Sequence, residues 1–173
     1  MKKIFLLILL FVFPTIVQAV NRYDIDYYLI DSEILENGAM KVRELLVLNG
    51  NLDAFQKNIY YRNSRLPVLD VYDYTHSSFH SGSELSDIEV SVLPLQKDEN
   101  ISFDLLEQEF TKLPRIYYEE DKTNAEYVES STQDGKTLKI FYQVAEGKVA
   151  ILIEYCVKDV ILKHKDVAEL YWT

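Results

Sequence analysis

The 173-residue chain carries 18 basic against 28 acidic residues, a formal charge of −10 at neutral pH. That length suits one domain with a proper core and excludes two full ones, while the acidic balance disfavours nucleic acid and anionic lipid as partners. With Cys156 as its single cysteine the chain has no internal disulfide, so the fold must rest on apolar packing.

Residues 1–19 read as a cleaved secretory signal peptide. Lys2 and Lys3 give a basic start, Ile4 to Phe13 an apolar stretch, and Val17-Gln18-Ala19 a small-residue cleavage site. The apolar stretch is interrupted by Pro14 and is shorter than the ~20 residues of a membrane span. Kept uncleaved, it would act as an anchor. Either way residues 20–173 are expected outside the cytoplasm, secreted or on the extracytoplasmic face of the membrane. No later run is apolar enough to cross a bilayer. Losing Lys2 and Lys3 moves the formal charge from −10 to −12.

From Tyr23 to Leu48 the chain reads as a hairpin. Tyr23, Ile25, Tyr27 and Leu29 alternate with Asp24, Asp26 and Tyr28, the period of a half-buried strand. Asn37-Gly38 predicts a tight type I′ turn. The return strand puts Met40, Val42, Glu44, Leu46 and Leu48 on one face, so a carboxylate sits among four apolar residues. Buried there, Glu44 needs a partner or a wet edge. Asn49-Gly50-Asn51 is expected to end this unit, with a loop running on to Asn58-Ile59-Tyr60-Tyr61-Arg62.

Two further strands are predicted, Val68 to Tyr74 and Leu85 to Leu93, the second ended by Pro94. Phe103, Leu106, Phe110 and Leu113 recur at helical spacing. They predict a short helix over 102–113, capped by Ser102 and stopped by Pro114. A charged loop, Glu119 to Asn124, precedes a meander of Tyr127 to Ser131, Thr137 to Val144 and Lys148 to Lys158. Its turns are placed at Asp134-Gly135 and Glu146-Gly147. In the last strand Val149, Ile151, Ile153, Tyr155 and Val157 share a face. The other face carries Ala150, Leu152 and Cys156 beside Glu154 and Lys158, which marks a central strand partly covered on both sides. The fold class expected is all-β, an antiparallel β-sandwich with one short helix.

The order of Val42-Arg43-Glu44, Ile59-Tyr60-Tyr61-Arg62, Ile151-Leu152-Ile153-Glu154-Tyr155 and Asp166-Val167-Ala168-Glu169-Leu170-Tyr171-Trp172 resembles one bacterial family. It is the YciQ-like family of predicted membrane proteins, DUF2207. The resemblance spans nearly the whole chain after the leader, and the Asp-x-x-Glu-Leu-Tyr-Trp tail is its most specific part. It implies an extracytoplasmic β-rich domain whose biochemical role is unassigned, followed in relatives by more strands and transmembrane helices. Because the chain stops at Thr173, it reads as a truncated member, a fragment, or a stand-alone secreted domain. Its partner would be a membrane-embedded region or another envelope component.

Glu44, Arg62, Asp166, Glu169, Tyr171 and Trp172 match the family's motif positions, and their expected role is structural. Arg62, with its planar fork, is the expected partner of Glu44. Trp172 would seal the sheet beside it. No catalytic, cofactor or metal set is assigned. His76 and His80 lack a third ligand, and His164 lies between two lysines. No nucleophile elbow or phosphate loop is present, and Cys156 reads as a small packed thiol. The acidic stretches Asp98-Glu99-Asn100 and Glu119-Glu120-Asp121 lack calcium-loop spacing.

Tyrosine, at 13 residues, is the compositional oddity. Tyr60-Tyr61, Tyr72, Tyr74 and Tyr117-Tyr118 would serve either as strand residues with wet hydroxyls or as stacking platforms. The functional expectation is a non-catalytic binding or scaffolding domain at the cell envelope. Its alternative is a carbohydrate-binding or carbohydrate-active module using those tyrosines and nearby carboxylates.

Overall fold

The computed structural model describes residues 22–61, 82–96, 101–163 and 168–170. The leader region, the expected strand Val68 to Tyr74 and the three histidines lie outside them. Within them the expected hairpin is present. Strand β1 (Arg22–Ile34) runs antiparallel to β2 (Met40–Tyr60), from Arg22 opposite Asn51 to Ile34 opposite Met40, with one shift of register between Ile25 and Tyr27. The turn differs from the type I′ expected. Of Asn37 and Gly38 only Gly38 has positive φ, at 81°, and the amide of Leu35 donates to the Ala39 carbonyl. A three-residue loop with a left-handed glycine as its last residue fits that geometry.

The larger departure concerns two glycine-containing stretches that look like strand ends in sequence. Strand β2 continues through Asn49-Gly50-Asn51 to Tyr60, and β7 (Gly135–Lys158) continues through Glu146-Gly147. The two pair along almost their full length. Gly50 stands opposite Gly147, and the register shifts between Gly50 and Leu52 and again between Leu52 and Ala54. The expected turn at Glu146-Gly147 is therefore an irregularity inside one strand, where Glu146 takes φ 57°. Gly50 is required at its position. Its φ is +134°, and a Cβ there would stand 2.3 Å from the Arg22 carbonyl oxygen of the paired strand β1.

This paired irregularity is a sharp bend. Lys57 lies thirteen residues beyond Glu44 on the same strand, roughly 43 Å away if the strand were straight at about 3.3 Å per residue. Its Nζ nevertheless reaches a Glu44 carboxylate oxygen at 2.5 Å. Only a strand folded back on itself allows that contact. One continuous sheet thus supplies both layers of the sandwich.

In the first layer the order is β1, β2, β7, β3 (Glu84–Leu95) and β4 (Thr111–Lys112). In the second, the far halves of β2 and β7 continue into β6 (Glu126–Ser131), which pairs in parallel with β5 (Arg115–Ile116). A separate two-stranded ladder joins β8 (Ile161–Lys163) to β9 (Ala168–Leu170).

Alternation decides what each face does. Val149, Ile151, Ile153, Tyr155 and Val157 of β7 are all buried between the layers, as expected for its central position. They meet Met40, Val42, Leu46 and Leu48 of the first layer and Phe55, Ile59, Leu138, Ile140 and Tyr127 of the second. Each such side chain contributes about 2 kcal/mol through burial. The Tyr127 hydroxyl also donates to the Ile88 carbonyl at 3.1 Å, tying β6 to β3 across the core.

The outer face of the first layer has its own, smaller cluster. Leu45, Val47, Ala150 and Leu152 are covered by Leu105 and Leu106. These belong to the segment where a helix over 102–113 was expected. The segment is instead a single 3₁₀ turn, Phe103–Glu107, with the Ser102 hydroxyl accepting from the Asp104 amide as anticipated. The helical spacing fails because the segment serves two places. Leu105 and Leu106 cap the outer face, whereas Leu113 belongs to the inner core and its amide donates to the Val90 carbonyl on β3. A chain spanning both must extend between them. Pro94 likewise does not end β3, which runs one residue further to Leu95.

Candidate functional site

Among the described residues, two polar places bear on function: a buried carboxylate in the bend and an open groove on the outer face of the second layer.

Glu44 is 3% exposed. Its position on the core face follows from the strand period, and the bend brings the far half of β2 over it. Tyr155 donates its hydroxyl to Oε1 at 2.6 Å, and Tyr28 donates to Oε2. Lys57 Nζ pairs with that same Oε2 at 2.5 Å and donates to the Tyr28 oxygen at 2.9 Å. It also lies 5.0 Å from the Tyr28 ring centre. Both carboxylate oxygens are therefore engaged, which is what allows a charge to sit in the core.

Burial opposes the charge on Lys57, but its hydrogen bonds to Glu44 and Tyr28 outweigh that and hold its pKa above the ordinary lysine value. Burial, then the Glu44 charge, pushes the Tyr155 hydroxyl far above the usual tyrosine range. Burial and the hydrogen bond to Glu44 also raise Tyr28. At neutral pH Lys57 is therefore an ammonium and both phenols keep their protons. A carboxylate so enclosed and so fully bonded fastens the two layers together.

The strand period alone exposes Glu44 and its need for a partner, but not the partner found here. Lys57 is hidden as long as β2 is taken to end at Asn49-Gly50-Asn51. In one continuous strand Lys57 shares a face with Phe55 and Ile59 and so belongs to the core side. The expected partner, Arg62, lies outside the described residues, as do Asp166, Tyr171 and Trp172. Glu169 stands on β9, opposite Leu162.

Cys156 is half-buried. Burial, then the Asp87 carboxylate, raises its thiol pKa, so it stays protonated at neutral pH and is a poor nucleophile. A second buried carboxylate, that of Glu129, is held by Arg115 at 3.1 Å and by Lys136. Among the described residues no group of three or more His, Cys, Asp or Glu side chains is placed to hold a metal ion.

The groove has a volume of about 500 Å³. Gln56, Thr137, Lys139, Val128 and Ser130 come from β2, β7 and β6, at positions that alternate with the core-facing Leu138, Tyr127 and Ile140. Tyr117, Tyr118, Glu119 and Glu120 border it from the segment after β5. Tyr117 is 77% and Tyr118 68% exposed. The Arg115 guanidinium lies 5.5 Å from the Tyr117 ring centre, and Lys139 donates to Glu119 at 2.7 Å. Of the other tyrosines raised as platforms, Tyr60 is exposed at the end of β2 and Tyr61 packs against the core. Tyr72 and Tyr74 lie outside the described residues.

No helix among the described residues is long and apolar enough to cross a membrane. No curated protein and no solved structure matches the chain. A family model does, over residues 21–173, which takes in the hairpin, the bent β2–β7 pair and the carboxylate between the layers. The chain belongs to the DUF2207 family, as the N-terminal domain of a predicted membrane protein.

Proposed function

We propose that this domain works outside the cytoplasm as a non-catalytic module that binds or scaffolds at the cell envelope, delivered there by the leader at residues 1–19. The observation that carries the reading is the contrast between its two polar places. The enclosed carboxylate, Glu44, is committed to holding the layers together, with both oxygens bonded. The accessible place is an open groove with two exposed tyrosines, a surface suited to recognition. The acidic net charge keeps such a domain off nucleic acid and anionic lipid, leaving uncharged or basic envelope components as partners.

The test has two arms. The full chain with a C-terminal epitope, produced in a bacterial host, is expected to lose its leader and to be digested by protease added outside spheroplasts. The purified product is expected to sediment with isolated envelopes. A protected product that still begins at Met1, or one that stays wholly in the supernatant, refutes the proposal.

A further inference from the structure

We propose that the Tyr117–Tyr118 groove is a binding site for a neutral, linear glycan; this rests on the reading of the domain as an envelope-binding module and names what the groove takes. Charge narrows the ligand first. Glu119 is neutralised by Lys139 across the groove, and Glu129 by Arg115 and Lys136. Glu120 is left as the lining carboxylate without an ion pair among the described residues. A single exposed carboxylate is a poor basis for selecting a multiply charged ligand, and it repels anionic ones.

What the groove offers instead is flat aromatic surface beside neutral hydrogen-bonding groups. Tyr117 and Tyr118 present two rings to solvent, and Arg115 over the Tyr117 ring restricts its orientation. Gln56, Ser130 and Thr137 add an amide and two hydroxyls along the outer face of three adjacent strands. The Gln56 amide can both donate and accept. The Thr137 hydroxyl donates to Asn58 Oδ1 at 2.8 Å and the Ser130 hydroxyl to the Thr137 carbonyl at 3.4 Å, so both offer acceptor oxygens to the hydroxyls of a pyranose. The apolar face of a pyranose, where its axial C–H bonds point, suits a tyrosine ring. The groove is open rather than enclosed, so a chain of sugars can enter and leave it along its length. Because its floor is rigid sheet, the ordering cost of binding is small.

The test uses the full, processed chain on an array of immobilised glycans. The array carries neutral linear oligosaccharides (β-1,4-glucans, chitooligosaccharides, xylans and α-glucans) together with sulfated and sialylated ones. Retention on at least one neutral linear class is expected. Tyr117→Ala and Tyr118→Ala are each expected to weaken it about tenfold, the effect of losing one stacking ring. Both side chains are exposed, so the variants should keep the parent's thermal midpoint, which is measured alongside. Retention on anionic glycans alone, no retention at all, or tyrosine variants that bind as well as the parent would each overturn the proposal. Envelope sedimentation of the same variants separates the ligand from the role. If envelopes retain the parent but the array does not, the glycan assignment fails and the binding role stands. If neither retains it, both fail.

Discussion

Replacing Lys57 by methionine removes the ammonium while keeping most of the side chain's bulk. Glu44, with its side chain 4% exposed, is then left in the core with two phenolic donors and no countercharge. Breaking one side of a buried pair costs about 3–5 kcal/mol. Lys57 keeps 21% of its side-chain surface in contact with water, so screening places the expected loss near the lower end, at about 3 kcal/mol. For a chain of this size that lowers the thermal midpoint by about 6–12 °C. Urea unfolding followed by far-ultraviolet circular dichroism gives the free energy directly, with an unchanged m-value showing that the unfolded surface is the same. Glu44→Gln removes the other charge and is expected to cost about 2 kcal/mol. In the double variant the losses should fall short of their sum by about 2 kcal/mol, because each single change already removes the pair. A Lys57→Met variant within about 0.5 kcal/mol of the parent would refute the view that this contact fastens the layers.

Two further outcomes follow from the same geometry. Lys57 and Tyr155 hold their protons more tightly folded than unfolded, so their contribution is whole below their ordinary pKa values near 10. Above that pH it is lost, at up to about 1.4 kcal/mol per pH unit for Tyr155 and less for Lys57, whose upward shift burial opposes. The urea midpoint should therefore fall steeply from about pH 10 upward, and Tyr155→Phe should flatten the fall by one group's share; an unaltered slope would contradict the assignment. Gly50→Ala places a Cβ 2.3 Å from the Arg22 carbonyl oxygen at a φ of +134° and is expected to cost about 3 kcal/mol or more. At Gly147, directly opposite, an added Cβ would meet only a Val144 methyl at 3.2 Å, so Gly147→Ala should cost less than about 1 kcal/mol. Thermal melts of the two variants side by side decide this, and equal losses would argue against the bend.

Strand period was the most readable signal in this chain. The alternation of Val149, Ile151, Ile153, Tyr155 and Val157 placed β7 at the centre of the sheet, and the structure puts it between β2 and β3. The oddity of Glu44 among Met40, Val42, Leu46 and Leu48 was also visible, since a carboxylate on an apolar face must be answered by something. What answered it was not visible. A glycine between polar residues looks the same in sequence whether it ends a strand or lets one bend beside a paired neighbour. Gly50 does the latter with the β1 backbone paired close beside it, and Arg22 is far from it along the chain. The helix that did not form has a similar origin: Leu106 and Leu113 share a helical phase but belong to different clusters. Tyr117 and Tyr118 stood out only as a pair. Nothing local shows that β2, β6 and β7 would furnish a floor beside them.

The doubled-over β2–β7 ribbon constrains the order in which this protein can acquire its shape. Both layers share β7 as their middle, and β7 runs from Gly135 to Lys158, so β2 waits for its second neighbour until nearly the whole described chain is present. Before that point the β1–β2 hairpin is the long pairing available, and a lone hairpin is marginal in water. Distant pairings of this kind are slow, closing in milliseconds to seconds. The polypeptide therefore stays open, and able to be threaded, until β7 arrives.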